Sequence, residues 1–162
     1  MNILSLDPAT HTGWAHSNGP SGTFDLSVRR DESSGMRLIR LSSKLDEIAN
    51  SLGIHLVVFE AARHSMPGMQ GALVVQSEIQ GLIKFWCEKN GINYRGYSPS
   101  EIKKHATGKG NSGKPVMLDF AKKKWPDKQF VTNSKGEIDD NEVDAVWLLD
   151  LARIEYDSKS ED

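Results

Sequence analysis

The sequence predicts an α/β protein: a mixed sheet with an antiparallel first three strands, flanked by helices. Three observations predict it. Two short apolar runs, "NILSL" and "HLVVF", have the length and residue types of buried strands, and each ends on a carboxylate. A pair of strand-like segments divided by the turn residues "NGPSG" lies directly after the first run. From there on, helical periodicity alternates with strand-like runs, the order expected of a sheet with helices packed on it.

The elements follow in chain order. "NILSLDP" (2–8) is a buried strand stopped by Pro8, which has no backbone N–H to donate. "TGWAHS" (12–17) and "GTFDLSV" (22–28) are the second and third strands. From Met36, Leu38, Leu41, Leu45, Ile48 and Leu52 recur at helical spacing, and Gly53 ends that helix. "IHLVVFE" (54–60) is the next strand, and "RHSMPGMQG" (63–71) is a loop. A helix is expected from about Ala72 to Asn90, with Val75, Ile79, Leu82 and Trp86 on one face. "INYRGY" (92–97) is the last strand.

"SPSEIKKHA" (98–106) opens a helix, with Ser98 as cap, Pro99 at the first helical position and Glu101 three residues after the cap. The corner "GKGNSGKP" (108–115) leads into the helix "PVMLDFAKKKW", halted by Pro126. Residues 126–138 are polar loop with a short extended piece. A final helix runs from about Asp139 to Tyr156. Residues 1–156 therefore read as one domain, and 157–162 as a frayed acidic tail. Trp14, Trp86, Trp147 and Cys87 are expected in the core, with Trp125 partly exposed.

Composition narrows the function classes. A chain of 162 residues suits one domain with a proper core. No stretch approaches the roughly 20 apolar residues of a membrane span, and no basic leader precedes the first strand, so neither membrane nor targeting segment is expected. The single cysteine excludes an internal disulfide and an all-cysteine zinc site, which fits a reducing, cytoplasmic setting. The five histidines are scattered and no H-E-x-x-H motif occurs, which disfavours zinc.

Charge is unevenly distributed. Residues 84–128 hold 11 Lys/Arg against 4 Asp/Glu, and residues 129–162 hold 3 against 10. A basic segment next to an acidic one suits a polyanion partner beside a place that needs carboxylates. The plainer reading is that the lysines only solubilise helices.

The carboxylates are the candidate site. Asp7 and Glu60 end the two most apolar strands, and open α/β sheets bind ligands at the carboxyl ends of strands. Each also has a structural reading: Asp7 capping the turn with Pro8, and Glu60 pairing with Arg63. In "DDNEVDAVWLL", Asp140 and Asp144 are four apart and share a helix face. Asp139, Asp140 and Glu142 suit the positive end of a helix by themselves, but Asp144 lies past the first turn, at the edge of the apolar face. Such a carboxylate set suits a hard divalent cation that also takes phosphate oxygens.

"GKGNSGKP" matches a phosphate-binding P-loop except at its last position, where Pro115 replaces the hydroxyl. A P-loop joins a strand to a helix, whereas this corner follows a helix. Glycines at a helix N-terminus with Lys114 at its mouth still favour a phosphate, here of a nucleic acid, with no nucleotide cofactor.

Taken in order, "ILSLDPATHTGWA", "VVFE", "YSPSEIKKHATGKGNSGK" and "DDNEVDAVWLL" resemble the RuvC-like Holliday-junction resolvases over about residues 2–152. The resemblance implies a ribonuclease H-like fold and a homodimeric, Mg²⁺-dependent endonuclease that nicks branched DNA, leaving 5′-phosphate and 3′-hydroxyl ends. It implies catalytic and metal-binding roles for Asp7, Glu60, Asp140 and Asp144, with two Mg²⁺ per site and Mn²⁺ as a substitute. Lys114 and Lys103 match the family's DNA-contacting lysines, and Lys114 is the one placed nearest the chemistry. Arg63, Lys104, Lys109, Lys122 and Lys123 extend the expected DNA-binding set.

Two departures stand out. The family's fourth acid falls where this chain has Asn141, so Asp140 is assigned and Asn141 kept as an oxygen ligand in reserve. The aromatic residue that often follows the strand-end glutamate is missing from "AARHSMPG", which suggests a phage-type or otherwise divergent member accepting several branched structures. The expected setting is a bacterial or phage-infected host cytoplasm. Two alternatives stay open: a ribonuclease H acting on RNA–DNA hybrid, and a non-catalytic DNA-binding module on the same fold.

Overall fold

The computed structural model of the protein describes residues 1–62, 68 and 70–159. Five strands, β1 (Ile3–Asp7), β2 (His11–His16), β3 (Ser21–Asp25), β4 (Leu56–Glu60) and β5 (Asn93–Tyr97), form one sheet in the order β3-β2-β1-β4-β5. The first three pair antiparallel, as expected, and β4 and β5 join them parallel to β1. Because β1 and β4 are adjacent and parallel, their carboxyl ends emerge side by side, with Leu6 opposite Phe59.

Alternation along β1 and β4 supplies two cores. Leu4, Leu6, Val57 and Phe59 face one side, where α1 (Met36–Leu52) and α2 (Gln70–Asn90) bury Leu41, Leu45, Ile79, Ile83 and Trp86. Ile3, Leu56 and Val58 face the other, against α3 (Pro99–Thr107), α4 (Lys114–Lys124) and α5 (Asp140–Asp157). Trp86 and Trp147 are core residues and Cys87 is fully buried. Trp14 is partly buried and stacks on Phe24 at 5.4 Å, while Trp125 packs at 4.6 Å on Trp147.

Element ends moved by one to three residues, for local reasons. β3 stops at Asp25, whose carboxylate accepts from Ser27 N at 2.9 Å and turns the chain. β4 begins at Leu56, because His55 N already donates to Asn2 O before the ladder starts. α2 begins at Gln70, so it takes in part of the loop expected over 63–71; the rest of that loop, apart from Gly68, lies outside the described residues. The α3 cap is as expected: Ser98 accepts from Glu101 N, and the Glu101 side chain accepts from Ser98 N at 2.7 Å. Residues 126–139 contribute one isolated bridge, Thr132 to Ile138. Among the described residues no helix is long and apolar enough to cross a membrane.

Two contacts seat α5 on the sheet. Ser5, in the middle of β1, donates its hydroxyl to Ala145 O at 2.6 Å, and both side chains are small. Gly13, opposite Asp7 in the ladder, backs directly onto the first turn of α5. This packing carries Asp144 over the end of β1.

Candidate active site

Asp7, Glu60 and Asp144 come together at the carboxyl end of the sheet, each offering one oxygen with all three within 4.8 Å of one another. Two come from adjacent strand ends and one from the second turn of α5. Asp7 is buried, and Glu60 and Asp144 are partly buried. The buried Gln80 side chain, on α2, donates to Glu60 O at 3.4 Å and ties that strand end down.

Crowding three carboxylates in a half-dry site disfavours their charged forms. Burial, then the Glu60 charge and the hydrogen bond to Glu60, raise the Asp7 carboxyl well above its ordinary value, with Asp144 adding to the effect and Lys114 opposing it. Burial and Glu60 push Asp144 up to about 7, against the pull of Lys114 and Lys103. Without a cation the cluster therefore retains protons. An oxygen-only donor set that holds protons for want of positive charge fits a hard divalent cation.

The three carboxylates line a cleft of ≈ 570 Å³, together with Lys103, Lys114 and Asn141. Lys114 is the first residue of α4, with Gly113 as cap, so the "GKGNSGKP" corner joins helix to helix and delivers its lysine to the cleft. Lys103 reaches it from α3.

Asp140, expected as the fourth acid, is not part of the three-carboxylate cluster. It is the first residue of α5, and its carboxylate pairs with Lys114 at 3.4 Å. Asn141 lines the cleft instead. Lys104 and Lys109 are exposed and do not line the cleft, and Lys122 and Lys123 are exposed in the last turn of α4. Arg63 lies outside the described residues, so its expected DNA contact and its pairing with Glu60 have no structural counterpart here.

Glu142 was read as a residue favouring the helix start, but it has a larger part. It is 1% exposed, accepts from Ser21 Oγ at 2.7 Å and from Val131 N at 2.5 Å, and so straps the 126–139 segment and β3 to the turn that carries Asn141 and Asp144. The only sequence signal was an acid on the core-facing side of the helix; its partners are 121 and 11 residues away.

No protein-family model and no curated protein matches the sequence. Solved structures do match. RuvC of T. thermophilus in complex with a Holliday-junction substrate superposes with a TM-score of 0.68 at 16% identity, over 91% of this chain and 90% of that one. A second T. thermophilus RuvC structure gives 0.65 at 15% identity over 91% and 90%. The yeast mitochondrial Holliday-junction resolvase Ydc2 gives 0.53 at 14% identity over 90% and 76%. What is shared at such identities is the architecture, and the chain has the ribonuclease H-like fold of RuvC.

Proposed function

We propose that this protein is a divalent-metal-dependent, structure-selective DNA endonuclease that nicks Holliday junctions and other branched DNA, leaving 5′-phosphate and 3′-hydroxyl ends. The observation that carries the reading is the carboxylate trio of Asp7, Glu60 and Asp144 beside Lys114 on this fold. A site that had decayed into a binding module would have no reason to hold three carboxylates within 4.8 Å of one another at a cost in desolvation.

In this reading Asp7, Glu60 and Asp144 hold two Mg²⁺ ions, for which Mn²⁺ substitutes. Bound there, the ions supply an activated water and neutralise charge on the leaving oxygen. The chain's own groups do the rest. Lys114 places a cation at the mouth of the cleft, aimed at charge that grows on the scissile phosphate. Asp140 holds Lys114 in place, and Asn141 offers an oxygen to the cleft. Lys103, with Lys104, Lys109, Lys122, Lys123 and Arg63, grips backbone phosphates, which orients the duplex arms without reading sequence. A homodimer would present two such sites, matching a junction with two strands to cut.

The deciding experiment is a cleavage panel of four-way, three-way, flap, RNA–DNA hybrid and linear substrates with and without Mg²⁺. Mg²⁺-dependent nicking confined to branched DNA is expected. Preferential cutting of the hybrid would instead identify a ribonuclease H, and tight binding without any nicking would identify a binding module.

A further inference from the structure

Beside the carboxylate cleft is a second cavity, of ≈ 620 Å³, and Pro99 and Lys103 line both. Its walls are the chain leaving β4 (Ala61, Ala62), the start of α3 (Ser98, Ser100) and the α3–α4 corner (Gly110, Asn111). Lys103 is its one charged lining residue, and no carboxylate or aromatic ring faces it. The small Ala61 and Ala62 leave it open.

The corner that forms its outer wall is tied down from within. Thr107 Oγ1 and Ser112 Oγ lie 2.5 Å apart, Thr107 Oγ1 accepts from Lys109 N at 3.2 Å, and Ser112 Oγ donates to Lys109 O at 3.0 Å. Gly110 packs against α3 so closely that a Cβ there would sit 3.3 Å from Ser100 O and 3.4 Å from Ser100 Cβ. Asn111 is therefore presented from a braced loop, exposed, and its carboxamide has no hydrogen-bond partner among the described residues.

The chemistry of the lining selects against a second phosphate. Pro99 has no N–H, and the capping box already occupies Ser98 N and Glu101 N while bringing the Glu101 carboxylate to that helix end. What remains is two hydroxyls, a free carboxamide and small apolar surface, which suits a neutral group with donors and acceptors on its edge. A nucleobase attached to the phosphate in the adjoining cleft is such a group, and its tether gives it a high effective concentration.

We propose that this cavity takes the unstacked base of a nucleotide flanking the cut, with the Asn111 carboxamide reading its edge and the Ser98 and Ser100 hydroxyls beside it. The proposal rests on the nuclease reading and adds to it a source of selectivity. Turning a base out of a paired duplex costs a few kcal/mol, and the cost is least where pairing is already interrupted. A subsite that requires the base therefore favours a branch point over continuous duplex.

The test is single-turnover cutting of four-way junctions that differ only in the nucleotide on either side of the cut, using all four bases and an abasic residue. At one flank, rates should spread by about tenfold between best and worst base, with the abasic junction slow, as expected for one carboxamide contact. Asn111→Ala should compress the spread to within about twofold, and so should Ala62→Leu, which fills the cavity. Asn111 is an exposed loop residue, so that variant alone decides the matter if Ala62→Leu does not fold. Equal rates for every base and the abasic residue at both flanks, in a wild-type protein that does cut junctions, would overturn the subsite alone. So would a spread that survives Asn111→Ala. A wild-type protein that cuts no branched DNA would bring down the nuclease reading and the subsite with it.

Discussion

Lys114 and Asp140 pair at 3.4 Å across the mouth of the cleft, joining the first residue of α4 to the first residue of α5. The Lys114 side chain is 70% exposed, so the pair adds little to stability. Its effect is to place a cation where phosphate charge would develop. Lys114→Ala should lower the single-turnover nicking rate by about 10²–10³-fold, as loss of one transition-state donor does, while junction affinity falls by less than about threefold. Asp140→Ala should cost less than Lys114→Ala, because the lysine remains. Asn141→Ala, measured alongside as a function of Mg²⁺ concentration, should raise the Mg²⁺ requirement more than Asp140→Ala does. The reverse order would restore Asp140 as the fourth acid.

Asp7 is the most crowded of the three acids, being buried and facing both Glu60 and Asp144. Replacing it by asparagine removes one charge of a like-charged set and preserves shape. Nicking should fall by more than about 10³-fold. Junction binding measured in Ca²⁺ or EDTA should hold or tighten, because a charge that repels phosphate is gone. Full activity in Asp7→Asn would remove the basis for placing catalysis at this end of the sheet.

The same crowding makes the metal-free protein sensitive to pH. Asp144 has an ordinary value of 3.8 and is pushed up to about 7, and Asp7 moves in the same direction. Between those limits the folded chain binds more protons than the unfolded one, so stability falls as pH rises from about 4 to 7. Thermal melts in EDTA should therefore show Tm declining over that window, in excess of the trend in an Asp7→Asn/Asp144→Asn double variant. Adding Mg²⁺ at pH 8 should raise the wild-type Tm and leave the double variant unmoved, since an ion bound only by the folded state stabilises it by mass action.

What could be read from the sequence was what is local or periodic. The Ser98–Glu101 capping box lies within four residues, and the α1 and α2 faces repeat at helical spacing, so each was legible in full. Asp7 and Glu60 were legible as strand ends, and the parallel pairing of β1 with β4 then brings them together. Asp140 against Asn141 was not legible. Successive helix residues point about 100° apart, and which of the two faces the cleft depends on how α5 is rotated on the sheet. Glu142 was hidden for a related reason: Ser21 and Val131 meet it only after the chain has folded. The second cavity depends on how the α3–α4 corner packs against α3, which "GKGNSGKP" does not reveal by composition.

That rotation of α5 is set in part by Gly13. It pairs with Asp7 in the ladder, and a Cβ added to it would lie 1.8 Å from Asn141 O and 2.8 Å from Glu142 N. Both obstacles are helix backbone, so no side-chain rotation relieves the clash, and the start of α5 must move away from β2. Gly13→Ala should therefore destabilise the protein by about 1–3 kcal/mol, the usual cost of overpacking. It should also lift Asn141 and Asp144 from the ends of β1 and β4, so nicking in Mg²⁺ should fall further than the loss of folded protein explains. A melt and a Mg²⁺ titration on the same sample separate the two effects. If the Mg²⁺ dependence matches wild type in the folded fraction, α5 has been held over the site by the Ser5–Ala145 contact alone.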